Sequence, residues 1–89
     1  MIINGVSVDI KEKEIVGANI LKVQAGTNGY KGGDTGHGSR TFFSIYDVAS
    51  TDMRVIKHDN GFEVRLGGDS ELETIIEALK FIVETLEKS

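Results

Sequence analysis

Eighty-nine residues, 39% of them hydrophobic, are enough for one small folded domain with a limited core. The formal net charge of −4 disfavours a general DNA- or RNA-binding protein, which would more often be basic. The chain has no cysteine, which excludes disulfides and thiolate metal sites. It also has no proline, so its turns must use glycine, asparagine and aspartate.

The first quarter of the chain predicts short strands. Apolar residues flank Asn4-Gly5 and alternate from residue 6 to residue 10, and Asn-Gly between apolar segments is a strong hairpin signal. The charged residues 11–14 are predicted as a turn, and residues 15–23 as a longer strand with a possible bulge at Gly17. The N-terminus shows no basic segment followed by an apolar one, so we expect no signal peptide.

Residues 26–40 are the most unusual stretch of the chain, and they read GTNGYKGGDTGHGSR. Six of these fifteen residues are glycine, and most of the others carry hydrogen-bonding side chains. A loop of this length in a small domain is costly to order, and such loops are often functional. Glycine also lets another group approach the main chain closely. The composition therefore predicts that a ligand binds at this glycine-rich loop.

The second half predicts three strands and a helix. Residues 41–46, 53–58 and 62–66 have strand composition, and 59–61 form a hairpin turn. Apolar residues recur at helical spacing from about residue 70 to 88, and Ser70 with Glu73 forms a capping box. The stripe predicted to face the sheet comprises Leu72, Ile75, Ile76, Leu79, Ile82, Val83 and Leu86. Ala78 and Phe81 lie beside it, as its widened edge or as a dimer contact.

The order of elements predicts an α+β fold in a single domain covering residues 1–89. We expect an antiparallel sheet of about four to five strands, followed by one long C-terminal amphipathic helix packed on it. No segment is apolar enough to span a membrane, and the cytoplasm, of a host if phage-encoded, is the expected compartment. The glycines at 67 and 68 are interpreted as a tight turn before the helix, because acidic residues already occupy its first turn.

The glycine-rich loop has the composition of a phosphate cradle. Lys31 and Arg40 supply positive charge, and an arginine can grip phosphate through two hydrogen bonds. Thr27, Asn28 and Asp34 are expected to contact a ribose or base, and Tyr30 or Phe42 to stack on the base. His37 is expected to donate to phosphate. Backbone access is expected at Gly29, Gly32, Gly33, Gly36 and Gly38.

Other kinds of site use some of the same residues. Asp34 and His37 could share a metal ion with His58 and Asp59, but two histidines are weak evidence for such a site. Ser39, His37 and Asp34 include the residue types of a hydrolytic triad, but crowd onto one flexible loop. Asp34 and His37 could also act on a phosphodiester as acid and base. We therefore predict no catalytic residue, no metal ligand and no cofactor.

Two stretches carry a resemblance, GTNGYKGGDTGHGSRTFFSI and GGDSELETIIEALKFIVETL. They resemble small proteins of phage and mobile-element origin, and the chain is similar in kind to phage anti-defence sponges. Those proteins sequester nucleotide immune signals, such as cyclic ADP-ribose derivatives made by Thoeris systems or cyclic oligonucleotides. They assemble as oligomers, bury the ligand at subunit interfaces and do not cleave it. The site residues above come from the loop chemistry, not from the resemblance.

Taken with the loop chemistry, the resemblance implies a protein that sequesters a small signalling nucleotide without turnover. It also implies a homodimer or higher homo-oligomer whose neighbouring subunit helps to form the pocket. One alternative is an inhibitor that docks on a host defence protein through the loop. Another is a small phosphodiesterase that uses Asp34 and His37. No bulk nucleic acid or membrane is expected as a partner.

Overall fold

The computed structural model describes residues 1–88, without the side chains of Asp34 and Thr35. It contains antiparallel strands and one C-terminal helix packed on them, so the α+β class is confirmed. The strands are β1 (Ile2–Ile3), β2 (Val6–Ser7), β3 (Lys11–Val16), β4 (Ile20–Thr27), β5 (Thr41–Ala49), β6 (Met53–His58) and β7 (Gly61–Leu66). The helix α1 spans Asp69–Glu87, close to its predicted bounds.

The strands divide among three sheets instead of forming one sheet of four or five. The central sheet has the order β3-β4-β5, while β1-β2 and β6-β7 are separate two-stranded hairpins. Asn4 and Gly5 have φ values of 48° and 80°, the left-handed conformation that a two-residue hairpin turn between β1 and β2 requires. His58 pairs with Gly61, so the second predicted hairpin turn is also present.

The charged segment 11–14 is a strand, which corrects its prediction as a turn. It forms the first part of β3, at the edge of the central sheet, where Lys and Glu side chains remain exposed on both faces. The single strand predicted over 15–23 is instead broken by a turn after Val16, and β4 begins at Ile20. Gly17 therefore lies in a turn, and the irregular pairing occurs between Ile20 and Leu21.

The hydrophobic core lies between β4 and α1. Leu21, Val23 and Ala25 alternate along β4, so all three point to one face of the sheet, and all are fully buried. Ala78 and Ile82 of α1 pack against them. Ala78 was predicted at the edge of the stripe or in a dimer contact, but it lies at the centre of the helix–sheet interface.

Four residues predicted to face the sheet are exposed: Leu72, Ile76, Leu79 and Val83. The reason is geometric. Apolar residues cover more than half the circumference of α1, and the sheet covers only the side centred on Ala78 and Ile82. The helix therefore keeps a second apolar stripe outside the core.

The predicted capping role of Ser70 is also wrong. The N-cap residue is Gly68, so no side chain caps the first turn of the helix. The helix begins at Asp69, one residue earlier than predicted. The Ser70 hydroxyl instead donates to Asn19 Oδ1 in the turn between β3 and β4. Within residues 1–88, no helix is both long and apolar enough to cross a bilayer.

Candidate functional site

The glycine-rich loop is shorter than predicted because β4 continues through Gly26 and Thr27. Thr27 pairs with Thr41, and their hydroxyl oxygens lie 3.1 Å apart. The Asn28 N–H donates to the Arg40 carbonyl at 3.3 Å, and the Arg40 N–H donates to Asn28 Oδ1 at 2.8 Å. Asn28 and Arg40 therefore close the loop, which leaves residues 29–39 outside the ladder.

Backbone hydrogen bonds fold the start of the loop into an irregular 3₁₀ turn, Tyr30–Thr35. The Gly29 N–H donates to Thr27 Oγ1 at 3.2 Å, and the Gly32 N–H donates to the Gly29 carbonyl at 3.0 Å. Gly33 has φ 60° and ψ −126°, a combination that only glycine adopts readily. Lys31 has φ 60° without being glycine, so the turn holds this lysine in a conformation that side chains disfavour.

Arg40 anchors the loop to the N-terminal hairpin. Its Nε donates to the Ile3 carbonyl at 3.2 Å, and its Nη1 donates to the Gly38 carbonyl at 2.8 Å. Both acceptors are neutral, and none of the ion pairs among the described side chains includes Arg40. The guanidinium is thus held in a fixed, half-buried position with its charge available to an anion.

A cleft of about 370 Å³ lies at the foot of the loop, and we call it the loop cleft. The cleft is open to solvent, and Tyr30 in its lining is 94% exposed. Its lining comprises Thr27, Gly29, Tyr30, Ser39, Thr41, Leu86 and Glu87. Hydroxyls, a glycine and an aromatic ring therefore line one cleft.

The predicted site residues divide into three groups. Thr27, Gly29 and Tyr30 line the loop cleft, whereas Asn28 and Arg40 support the loop from its base. The remaining described loop residues do not line the cleft: Gly32 is buried in the turn, and Lys31, Gly33, Gly36, His37 and Gly38 are exposed along the loop. The Asp34 side chain lies outside the described part of the structure.

Phe42 is the predicted residue that the fold separates from the loop cleft. It pairs with Gly26 in β5 and lines a second cleft of about 470 Å³, between β5 and the β6-β7 hairpin. We call this the β5 cleft. Its lining is mostly apolar: Phe42, Phe43, Ile45, Tyr46, Met53, Val55, Phe62 and Val64, with Thr41 and Ser44.

Three lining residues of the loop cleft, Thr41, Leu86 and Glu87, were not anticipated. Leu86 and Glu87 come from the last turn of α1, more than forty positions along the chain from the loop. No local sequence pattern predicts a contact between the end of α1 and the loop, because it depends on where the helix lies across the sheet. The buried Nδ2 of Asn28 was also unexpected, since it has no hydrogen-bond partner among the described residues.

The residues considered for a metal site do not come together among the described side chains. His58 Nε2 lies 3.0 Å from Glu63 Oε1, and Arg65 donates to the same oxygen at 3.1 Å. This exposed cluster belongs to the β6-β7 hairpin and does not line the loop cleft. In the described residues, no three His, Asp or Glu side chains are grouped as metal ligands would be.

Comparisons with protein-family models, with curated proteins and with solved structures gave no match for this chain. The assignment of function therefore rests on the geometry of the loop and its cleft.

Proposed function

We propose that this protein binds a small phosphate-bearing nucleotide at the loop cleft and holds it without turnover, as a phage anti-defence sponge would. The observation that carries the proposal is the position of Arg40. Its guanidinium is fixed by two neutral carbonyl oxygens at the base of the loop, outside the lining of the cleft, and is paired with no described carboxylate. A fixed arginine without a carboxylate partner is suited to phosphate.

The loop cleft supplies the other contacts that a nucleotide needs. The exposed Tyr30 ring offers a stacking surface, and the hydroxyls of Thr27, Ser39 and Thr41 offer hydrogen bonds to a ribose. Asn28 Nδ2, outside the cleft lining, is a buried donor without a described partner, so the base of the loop keeps one unsatisfied polar group. The carboxylate of Glu87 would repel phosphate and is better matched to a ribose hydroxyl.

Holding a ligand is favoured over cleaving it because catalysis needs a base within hydrogen-bond reach of the reacting group. His58 is already engaged with Glu63 and lies outside the cleft. Among the described residues, the cleft lining has one carboxylate, Glu87, and no histidine, so it lacks the acid–base pair that a phosphodiesterase would use. We therefore assign no catalytic residue, and we expect a homodimer or higher homo-oligomer in a cytoplasmic setting.

Replacing Tyr30 by alanine tests this proposal. Thermal unfolding is followed with cyclic dinucleotides, cyclic trinucleotides and ADP-ribose derivatives as probes. One probe at a hundred times its Kd should stabilise the wild type by about 2.7 kcal/mol. Tyr30→Ala should abolish that stabilisation and leave the ligand-free Tm unchanged, because Tyr30 is 94% exposed.

Tyr46→Ala is the matched control, since Tyr46 is the other tyrosine of the chain and lines the β5 cleft. It should respond to the probe as the wild type does. If no probe stabilises the wild type, or if Tyr30→Ala binds normally, the proposed site is wrong.

A second candidate function is docking on a host protein through the loop. The observation in its favour is the exposure of Tyr30 together with residues 36–39, because exposed tyrosines on a projecting loop are common in protein interfaces. This candidate predicts indifference to every nucleotide probe and a stable complex with a host protein that Tyr30→Ala disrupts.

A further inference from the structure

The helix α1 carries a second apolar stripe that does not face its own sheet. Leu72, Ile76, Leu79 and Val83 are 57%, 43%, 49% and 52% exposed. They are separated by four, three and four residues, so they form one row along the helix. This is the spacing of a seam between two packed helices, with β-branched residues alternating with leucines.

The stripe faces the β5 side of the sheet. Leu86 continues the row by three residues beyond Val83, and it lines the loop cleft together with Thr41, the first residue of β5. The helix packs mainly on β4 and more on β3 than on β5. The β5 cleft is also open, with the exposed Phe43 along its wall. We call the stripe and the β5 cleft together the apolar face.

The single chain is less compact than a typical domain of its length. Its radius of gyration is 14.6 Å, whereas a compact domain of this length has about 12 Å. Among the described residues, eight hydrophobic side chains are buried, and nine large ones are exposed on the apolar face. Those on the apolar face are Phe43, Tyr46, Val55, Phe62, Val64, Leu72, Ile76, Leu79 and Val83. An exposed apolar surface of this kind marks an interface.

We propose that a second copy of this chain covers the apolar face, with the two α1 helices packed antiparallel across a two-fold axis. Such an axis makes the interface self-complementary, so every contact occurs twice. Ile76 packs on Leu79 of the partner subunit, and Leu72 packs on Val83 of the partner subunit. The partner's helix then lies beside the β5 cleft and shields its apolar lining from water.

Charge selects the antiparallel direction. Glu73 and Lys80 border the stripe on its solvent side and are two turns apart, too far to pair within one helix. In the antiparallel arrangement, Lys80 lies beside the partner's Glu73, and the symmetric pair forms as well. A parallel pair would place Lys80 opposite Ile75 of the partner subunit, a residue already packed against its own core.

The same register brings the start of the partner's helix next to Leu86, at the edge of the loop cleft. The neighbouring subunit then forms one wall of that cleft. A role for this wall in ligand binding rests on the proposed function. The helix pairing itself does not depend on any nucleotide.

Cysteine crosslinking without nucleotide tests the pairing, because the chain has no cysteine of its own. Leu72→Cys and Val83→Cys are prepared separately and treated with a short bismaleimide, alone and after mixing. Antiparallel pairing predicts crosslinked dimer in the mixture and almost none in either variant alone. Crosslinking of each variant with itself would establish a parallel pair, and no crosslinking anywhere would rule out the interface.

A charge exchange provides an independent readout by sedimentation equilibrium. Lys80→Glu and Glu73→Lys should each weaken dimerisation about ten-fold, because each places like charges together twice in the dimer. The double variant should restore the wild-type Kd. Glu77→Lys makes the same charge change farther around α1 from the stripe and should leave dimerisation unaltered. Failure of the double variant to restore the dimer would overturn the proposed register.

Discussion

At the scale of single residues, Gly26 shows that a prediction from composition can differ from the residue's place in the fold. Its place at the head of a glycine-rich run suggested that it belongs to a flexible loop. It is instead a regular residue of β4, paired with Phe42. The segment after β2 passes so close that a Cβ on Gly26 would overlap the Asp9 carbonyl oxygen and lie 2.8 Å from Ile10 Cδ1. Glycine is needed here for space.

Replacing Gly26 should therefore cost stability. Gly26→Ala forces the strand and the segment at Asp9 apart, and overpacking of this kind costs about 1–3 kcal/mol. Gly61→Ala is the matched control, because nothing lies within 4 Å of a Cβ at that position. Urea unfolding measures both variants. Equal midpoints for the two would show that the chain does not approach Gly26 this closely.

At the scale of elements, the helix bounds were predictable and its orientation was not. The apolar period placed α1 within a residue or two of Asp69–Glu87. Because apolar residues cover more than half its circumference, the pattern alone does not say which part faces the sheet. The packing of Ala78 on β4 decides it. The first four residues of β3 were missed as a strand because all four are charged and show no apolar alternation.

A buried asparagine, Asn19, connects several elements, and no sequence motif predicts this role. Asn19 is 1% exposed, and its Nδ2 donates to Thr51 Oγ1 and Thr74 Oγ1, both at 2.9 Å. Its Oδ1 accepts from the Ser70 hydroxyl. One side chain thus ties the β3-β4 turn to the segment before β6 and to the first turns of α1.

Asn19→Ala should destabilise the fold by about 2–3 kcal/mol, because the buried Thr74 hydroxyl and the half-buried Thr51 and Ser70 hydroxyls each lose a hydrogen bond. Gln24→Ala is the comparison, since Gln24 also hydrogen-bonds two side chains but does so on the exposed face of the sheet. Its cost should stay within about 0.5 kcal/mol. Chemical denaturation separates the two, and a small effect of Asn19→Ala would show that this network does not hold the elements together.

At the scale of the whole molecule, the candidate site depends on contacts that no segment encodes alone. The glycine-rich loop was recognisable from its composition, and so were Tyr30 as its aromatic ring and Arg40 as a cation at its end. The contribution of Leu86 and Glu87 required the helix to end beside β5. The separation of Phe42 from the loop required the β6-β7 hairpin to form a sheet of its own. Both follow from tertiary packing.

The central claim is that the loop cleft holds an intact nucleotide. The most direct measurement is capture and release: the protein is mixed with the nucleotide panel, freed of unbound ligand, denatured by heat, and the released compound is identified by mass spectrometry. We predict recovery of one nucleotide with its mass unchanged, and its loss with Tyr30→Ala. Release of a cleaved product, or of nothing, would contradict the account.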